Sequence, residues 1–228
     1  MGSAWILSNA ARQFKNAENS IEVKGYTERS IESDQSSWSL TLTANEASLS
    51  EASLKFDHHK KILIDFLAKE GIDVKDFEGS PLKRNTVYKI LENGQTSNQV
   101  EGYKISQNFS YRSHNIPLVT SLAIKSGVLI TEEGLDLDIG TPRYFYSSQK
   151  LESLKLAMIG DATANGRGRA ETFALNGGIK IGALKGARQG LFQVTAMDAA
   201  DVSDYGVYDT SSVQKMVKVV VTLTYAVH

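Results

Sequence analysis

The sequence predicts an α+β fold of mainly antiparallel strands with two long helices and one short helix. Three observations lead there. Strand-like and helix-like segments run in the order strands, helix, strands, short helix, strands, long helix, strands, without the regular alternation of a doubly wound sheet. Asn93-Gly94 between two strand-like runs marks a hairpin. Val217, Val219, Val221, Leu223, Tyr225 and Val227 recur at a period of two near the C-terminus, the pattern of a strand with a buried face.

Ile21 and Val23 begin the first strand, and Gly25-Tyr26 allows a bend or close packing within it. Trp38, Leu40 and Leu42 alternate with Ser37, Ser39, Thr41 and Thr43 in the second, and the two strands are expected to be neighbours. Ser48 and Glu51 then form a capping-box pattern. Ala52, Phe56, His59, Leu63 and Phe66 follow at helical spacing, and Gly71 is the stop. Val87–Leu91 and Val100–Tyr111 are the arms of the hairpin. In the second arm Tyr103, Ile105, Phe109 and Tyr111 share a face against Lys104, Ser106, Asn108 and Ser110.

Asn115-Ile116-Pro117 reads as a helix start, since proline is tolerated in the first turn, and the short helix it opens ends near Gly127. Val128-Leu129-Ile130, Leu135–Ile139 and Pro142–Tyr146 are expected to be strands. The second long helix spans Ser148 to Asn176 before Gly177-Gly178, with Ile159, Ala162, Gly166, Ala170 and Phe173 on its inner row. Gly160, Gly166 and Gly168 each weaken an isolated helix by about 1 kcal/mol, and tight packing against a neighbour is the reading offered for them. Ile179, Ile181 and Ala183 open a strand, and Leu191 to Ala196 continue in sheet-like fashion. Met197–Ser212 is an Asp-rich surface loop. Val220 and Ala226 add apolar groups to the second face of the last strand, as in a central strand or one covered by a partner.

The 228 residues suffice for one large domain or two small intertwined ones. Apolar residues make up 41% and charged residues 22%, which places the chain among globular proteins. A net charge of −1 gives no general field toward nucleic acid or an anionic membrane. The absence of cysteine excludes disulfides, thiol nucleophiles and Cys-based zinc sites. Met1-Gly2-Ser3 reads as a cloning scar, and Ile6 stands where a myristoylation motif needs Ser or Thr. Ala4 to Ala11, followed by Arg12 and Lys15, is open to two readings: the tail of a membrane anchor or an ordinary leader.

No catalytic, cofactor-binding or metal residue is assigned. Adjacent His58 and His59 point about 100° apart on a helix and cannot chelate one ion as an i, i+4 pair could; Asp57 or Asp65 would have to help. Asp136 and Asp138, after Glu132-Glu133, share a strand face that reads as solvated, because Leu135, Leu137 and Ile139 take the other. Gly166-Arg167-Gly168-Arg169 resembles part of a phosphate loop but lies within a helix and lacks the following Lys-Ser/Thr. Gly177-Gly178 and Gly182 precede a strand, the wrong order for a dinucleotide fingerprint. Tyr103, Phe109, Tyr111, Tyr144, Phe145 and Tyr146 lack the basic rim that base stacking would need, so packing is their expected use.

Several of these segments together resemble the SIMPL family of bacterial envelope proteins, also called DUF541. Val23-Lys24-Gly25-Tyr26-Thr27-Glu28 with Asp34, and Val100-Glu101-Gly102-Tyr103, look like its Gly-Tyr strands. Ala162 to Gly182, ATANGRGRAETFALNGGIKIG, is similar to its Ala-rich helix, glycine stop and following strand, with Gly166 and Gly168 at positions often held by alanine. Asp209-Thr210-Ser211-Ser212 through Tyr225 looks like the closing strand of one subfamily. The resemblance runs from about Ile21 to His228. It implies a SIMPL-like α+β domain over 20–228, a single body or two intertwined subdomains, preceded at 1–19 by a scar and the remnant of an anchor or linker.

It also implies a periplasmic location with an inner-membrane tether, assembly into homo-oligomeric rings in some members, and no catalytic residues to carry over. Family roles include resistance to oxidative stress and, for a eukaryotic namesake, association with a signalling kinase. The expectation is therefore a non-catalytic structural or interaction protein whose partner is itself, with no cofactor and no nucleic acid. The alternatives are a periplasmic small-ligand binding module using Tyr144-Phe145-Tyr146 and, third, a metal-dependent hydrolase.

Overall fold

The computed structural model describes residues 19–197, 199 and 206–228. The stub at 4–11 with Arg12 and Lys15 lies outside this set, as does part of the Asp-rich loop. In chain order the strands are β1 (Ser20–Glu32), β2 (Gln35–Glu46), β3 (Phe77–Gly79), β4 (Lys83–Ile90), β5 (Thr96–Ser113), β6 (Asp136–Ile139), β7 (Arg143–Phe145), β8 (Ile181–Gln189), β9 (Gln193–Ala196) and β10 (Gln214–Val227). The helices are α1 (Leu49–Lys69), α2 (Ile116–Lys125), α3 (Gly127–Thr131) and α4 (Ser148–Asn176). The fold is α+β with antiparallel sheets, as the sequence predicts. Contacts divide the chain into two units, one of residues 34–145 and one formed by the segments on either side of it.

In the 34–145 unit β2 is central, pairing with β5 on one side and with β6 and β7 on the other. Beyond β5 lie β3 and β4. The alternation in β2 buries Trp38, Leu40 and Leu42 against α1 and α2, together with Ile105, Phe109 and Tyr111 of β5. Phe77 stacks on Phe109 with ring centroids 5.5 Å apart and tilts against Trp38 at 6.2 Å. Ser48 Oγ accepts a hydrogen bond from the Glu51 amide at 3.2 Å and its hydroxyl lies 2.7 Å from the Glu51 carboxylate. Gly71 follows the helix with φ +83°, a left-handed stop that needs no Cβ. The inner face of α1 ends on Leu67, with Phe66 half-buried beside it. Asn115 caps α2 by accepting from the Leu118 amide at 3.2 Å.

Two strand assignments need correction here. Val128-Leu129-Ile130 is helical, in α3, because the Ser126 amide bonds to Leu122 and the chain resumes its helical turn with Leu129 in the core. A three-residue apolar run carries no period by which to tell these states apart. β1 and β2 are not neighbours: they belong to different sheets. The Ser33 amide bonds to Val213 O and the Asp34 amide to Phe145 O, so each end of this short link joins its own sheet instead of closing a hairpin.

In the other unit β10 is central, flanked by β1 along thirteen paired residues and by β8 and β9 on its opposite edge. Of its predicted apolar face, Val217, Val219, Val221, Leu223 and Tyr225 are buried and Val227 is half-buried. With α4 the buried ones form a second core around Val23, Met158, Ala162 and Ala170. The bounds of α4 match the predicted ones, but its buried row runs Met158, Ala162, Gly166, Ala170, Ala174. Ile159 is only half-buried and Phe173 is 61% exposed, so the expected row was displaced by one residue at each end. The small residues of the row set the contact distance. Tight packing explains Gly166, whose added Cβ would meet Leu223 and Gly25, but not Gly160 or Gly168, which face open space.

Candidate functional site

Helices cover one face of the 34–145 sheet, and residues of opposite parity in β2 and β5 turn their side chains to the other. Register aligns them in two rows. Ser37 lies opposite Arg112 of β5 and opposite Arg143 of β7, giving the row Arg112, Ser37, Arg143. Ser110 lies opposite Ser39 and opposite Glu78 of β3, giving the row Glu78, Ser110, Ser39. The Gly140 amide bonds to Ser39 O at 2.9 Å and brings Thr141 alongside. These residues line a groove of about 490 Å³. Arg112 and Arg143 are exposed, and neither guanidinium has a hydrogen bond or ion pair among the described residues. None of the groove's side chains stands out in the sequence, because only the strand register brings them together. The available signal was outward parity, of Ser37 and Ser39 in β2 and of Ser110 and Arg112 in β5.

The Asp209-Thr210-Ser211-Ser212 segment builds a second polar cluster. Asp209 accepts from the Ser211 amide at 2.9 Å and its hydroxyl at 2.7 Å, from the Ser212 amide at 3.2 Å, and from the Ser212 hydroxyl. Fully buried Lys215 donates to Asp209 at 3.1 Å and to Ser212 O at 2.5 Å. Burial alone would raise the carboxyl's pKa. The hydrogen bonds from Ser212, Ser211 and Lys215 outweigh it and hold the group well below the usual carboxylate range. The Asp209 amide bonds to Val194 O at 2.8 Å, and the Tyr208 hydroxyl accepts from the Tyr146 amide at 3.1 Å. An enclosed lysine reaches no substrate, so this cluster ties the end of the loop to β9 and β10.

The other residues singled out in the sequence fall as follows. His59 is buried on the inner face of α1 while His58 is exposed. Burial, then Lys55 and His58, push the His59 pKa down against a smaller upward pull from Asp136. Asp136 and Asp138 face outward and Leu137 inward, as their alternation implies. Among the described residues no three His, Asp or Glu side chains gather as a metal site would require.

Arg169 does not form an open phosphate loop: it donates to Lys24 O at 3.2 Å, while Arg167 pairs with Glu171 at 2.9 Å. Phe109, Tyr111 and Tyr144 are buried, and the Tyr144 hydroxyl lies 2.9 Å from Thr120 Oγ1. These aromatics therefore serve packing, and no exposed stacking platform forms from them. No described helix is long and apolar enough to cross a membrane.

A search of curated proteins finds none that matches. A family match covers residues 21–225, nearly the whole chain, and carries the description "Protein of unknown function (DUF541)". Over this span the Gly-Tyr segments lie on β1 and β5, the Ala-rich segment on α4, and the Asp-Thr-Ser-Ser segment just before β10. The chain belongs to the SIMPL family.

Proposed function

We propose that this chain is a non-catalytic structural or interaction protein that self-assembles into homo-oligomers, faces the periplasm and takes part in the response to envelope or oxidative stress. The observation that carries the assembly reading is the ribbon formed by β4 and the start of β5. Tyr88 lies opposite Val100, Ile90 follows two residues on, and Leu91 begins the turn. All four are exposed, Ile90 by 68%, and the strand register gathers them on one ribbon, whereas the unit's other exposed large apolar residues, Leu54, Val74, Leu82, Ile124 and Ile130, are spread over other segments. An outer strand also presents unpaired backbone groups to another chain. A second copy offering the same ribbon covers both at once in an isologous contact.

Because the chain has no cysteine, Tyr88→Cys places a single thiol on this surface. Its alkylation is expected to be slow in the native protein and fast after unfolding. Equal rates in the two states would remove the ribbon from the interface. The periplasmic reading rests on the family resemblance and is tested by protease access in spheroplasts, where full protection would overturn it. Peroxide survival of a strain lacking the protein tests the stress reading in the same way: wild-type survival would count against it.

A further inference from the structure

We propose that the groove on the open face of the 34–145 sheet binds an oxyanion, a carboxylate or phosphate group carried by a small polar molecule. Neighbouring strands stand about 4.8 Å apart, so the Arg112 and Arg143 backbones lie about 10 Å from each other with Ser37 between them. Two long side chains at that spacing can lean over Ser37 and present their forks to one group. A guanidinium does not shed its proton at physiological pH, so the pair remains doubly positive. Neither guanidinium is engaged by a carboxylate among the described residues, so the two like charges flanking Ser37 repel each other, and an oxyanion between them turns that repulsion into charge-assisted, bidentate contacts.

The second row narrows the ligand. Ser39, Ser110 and Thr141 supply hydroxyls that can donate or accept. Glu78, at the β3 end of its row and diagonal to Arg112, disfavours an anion there, which sets the acidic end of the ligand toward Ser37 and Arg143 and leaves a place for an N–H or O–H donor beside Glu78. The volume of about 490 Å³ suits a small metabolite. Such a lining does not favour a lipid tail. This site is separate from the β4–β5 ribbon and does not depend on assembly.

Calorimetric titration of the full chain with inorganic phosphate and, separately, with succinate tests the proposal. Saturable binding of at least one is expected at one site per chain, and which of them binds tells phosphate from carboxylate recognition. Arg112→Gln and Arg143→Gln should each weaken it about tenfold, the loss of one charge-assisted contact. Glu78→Gln should strengthen it, and Arg84→Gln, the same charge change outside the groove, should leave it unchanged. Backbone NMR shifts on adding the bound probe should cluster at Ser37, Arg112, Thr141 and Arg143, a readout that needs no variant. Absence of saturation by both probes up to about 10 mM, equal weakening by Arg84→Gln, or shifts confined to other regions would overturn the proposal.

Discussion

Gly25 of β1 and Gly166 of α4 face each other at backbone contact. A Cβ on Gly166 would stand 3.2 Å from both the N and the Cα of Gly25. One on Gly25 would stand 1.9 Å from the Ala162 carbonyl oxygen and 2.8 Å from the Gly166 nitrogen. The approach allows helix side chains to grip the strand from both sides: Asn165 accepts from the Tyr26 amide at 3.1 Å, and Arg169 donates to Lys24 O. Arg29 and Asp161 add an ion pair at 2.5 Å. Backbone groups on this outer strand are thereby capped by α4, which leaves them less open to pairing with another chain.

Alanine scanning of the glycines should divide them sharply. Gly25→Ala forces backbone apart and should cost about 3 kcal/mol or more, at the upper end of overpacking effects. Gly166→Ala gains helix propensity but must displace buried Leu223, and should be destabilising by about 1 kcal/mol net. Gly160→Ala and Gly168→Ala meet nothing and should stabilise by about 0.5–1 kcal/mol each. Urea melts of the four variants check this order. Equal effects at Gly166 and Gly168 would refute the close-contact account.

The Asp209–Lys215 pair predicts an acid-sensitive loop end. The Asp209 carboxyl is held low in the fold, so an unfolded chain takes up its proton first as pH falls below about 4. The stabilisation is therefore complete above that range and lost progressively below it. Asp209→Ala leaves Lys215 buried without its counter-charge and should cost about 3–5 kcal/mol. Asp209→Asn combined with Lys215→Met should cost less than the sum of the two single changes, as a double-mutant thermal-melt cycle would show.

His59 acts in the opposite region of the pH scale. Its folded pKa is depressed, so protonation favours the unfolded chain as pH falls through about 6.5, and stability is restored above that value. Nδ1 of His59 has no hydrogen-bond partner among the described residues, so a proton there finds no acceptor. His59→Gln should flatten the stability profile between about pH 7 and 5.5, measured by denaturant midpoints. An unchanged slope would show that other groups carry it.

Elements whose signal is local were legible in the sequence. Ser48 and Glu51 marked the start of α1, Ser148 and Asn176 bounded α4, and alternation placed Trp38 and Leu40 inside. What escaped depends on partners distant in the chain. Nothing near Ile21 or Trp38 reveals that one strand joins β10 and the other β5. The run Val128–Ile130 is too short to have a period, and tertiary burial of Leu129 decides for helix. Phe173 satisfied the helical spacing, but the small-residue row one position away is the one that fits against β1. The groove was invisible for the same reason: Ser37, Arg112 and Arg143 are far apart in sequence and meet only through register.

Light scattering coupled to size exclusion, at several concentrations, tests self-assembly through the β4–β5 ribbon most directly. The account predicts a discrete mass at a whole multiple of the 24.9 kDa chain, falling toward 24.9 kDa in the Tyr88→Lys/Ile90→Lys variant. A wild-type mass of 24.9 kDa at every concentration, or an oligomer that the variant leaves intact, would contradict it.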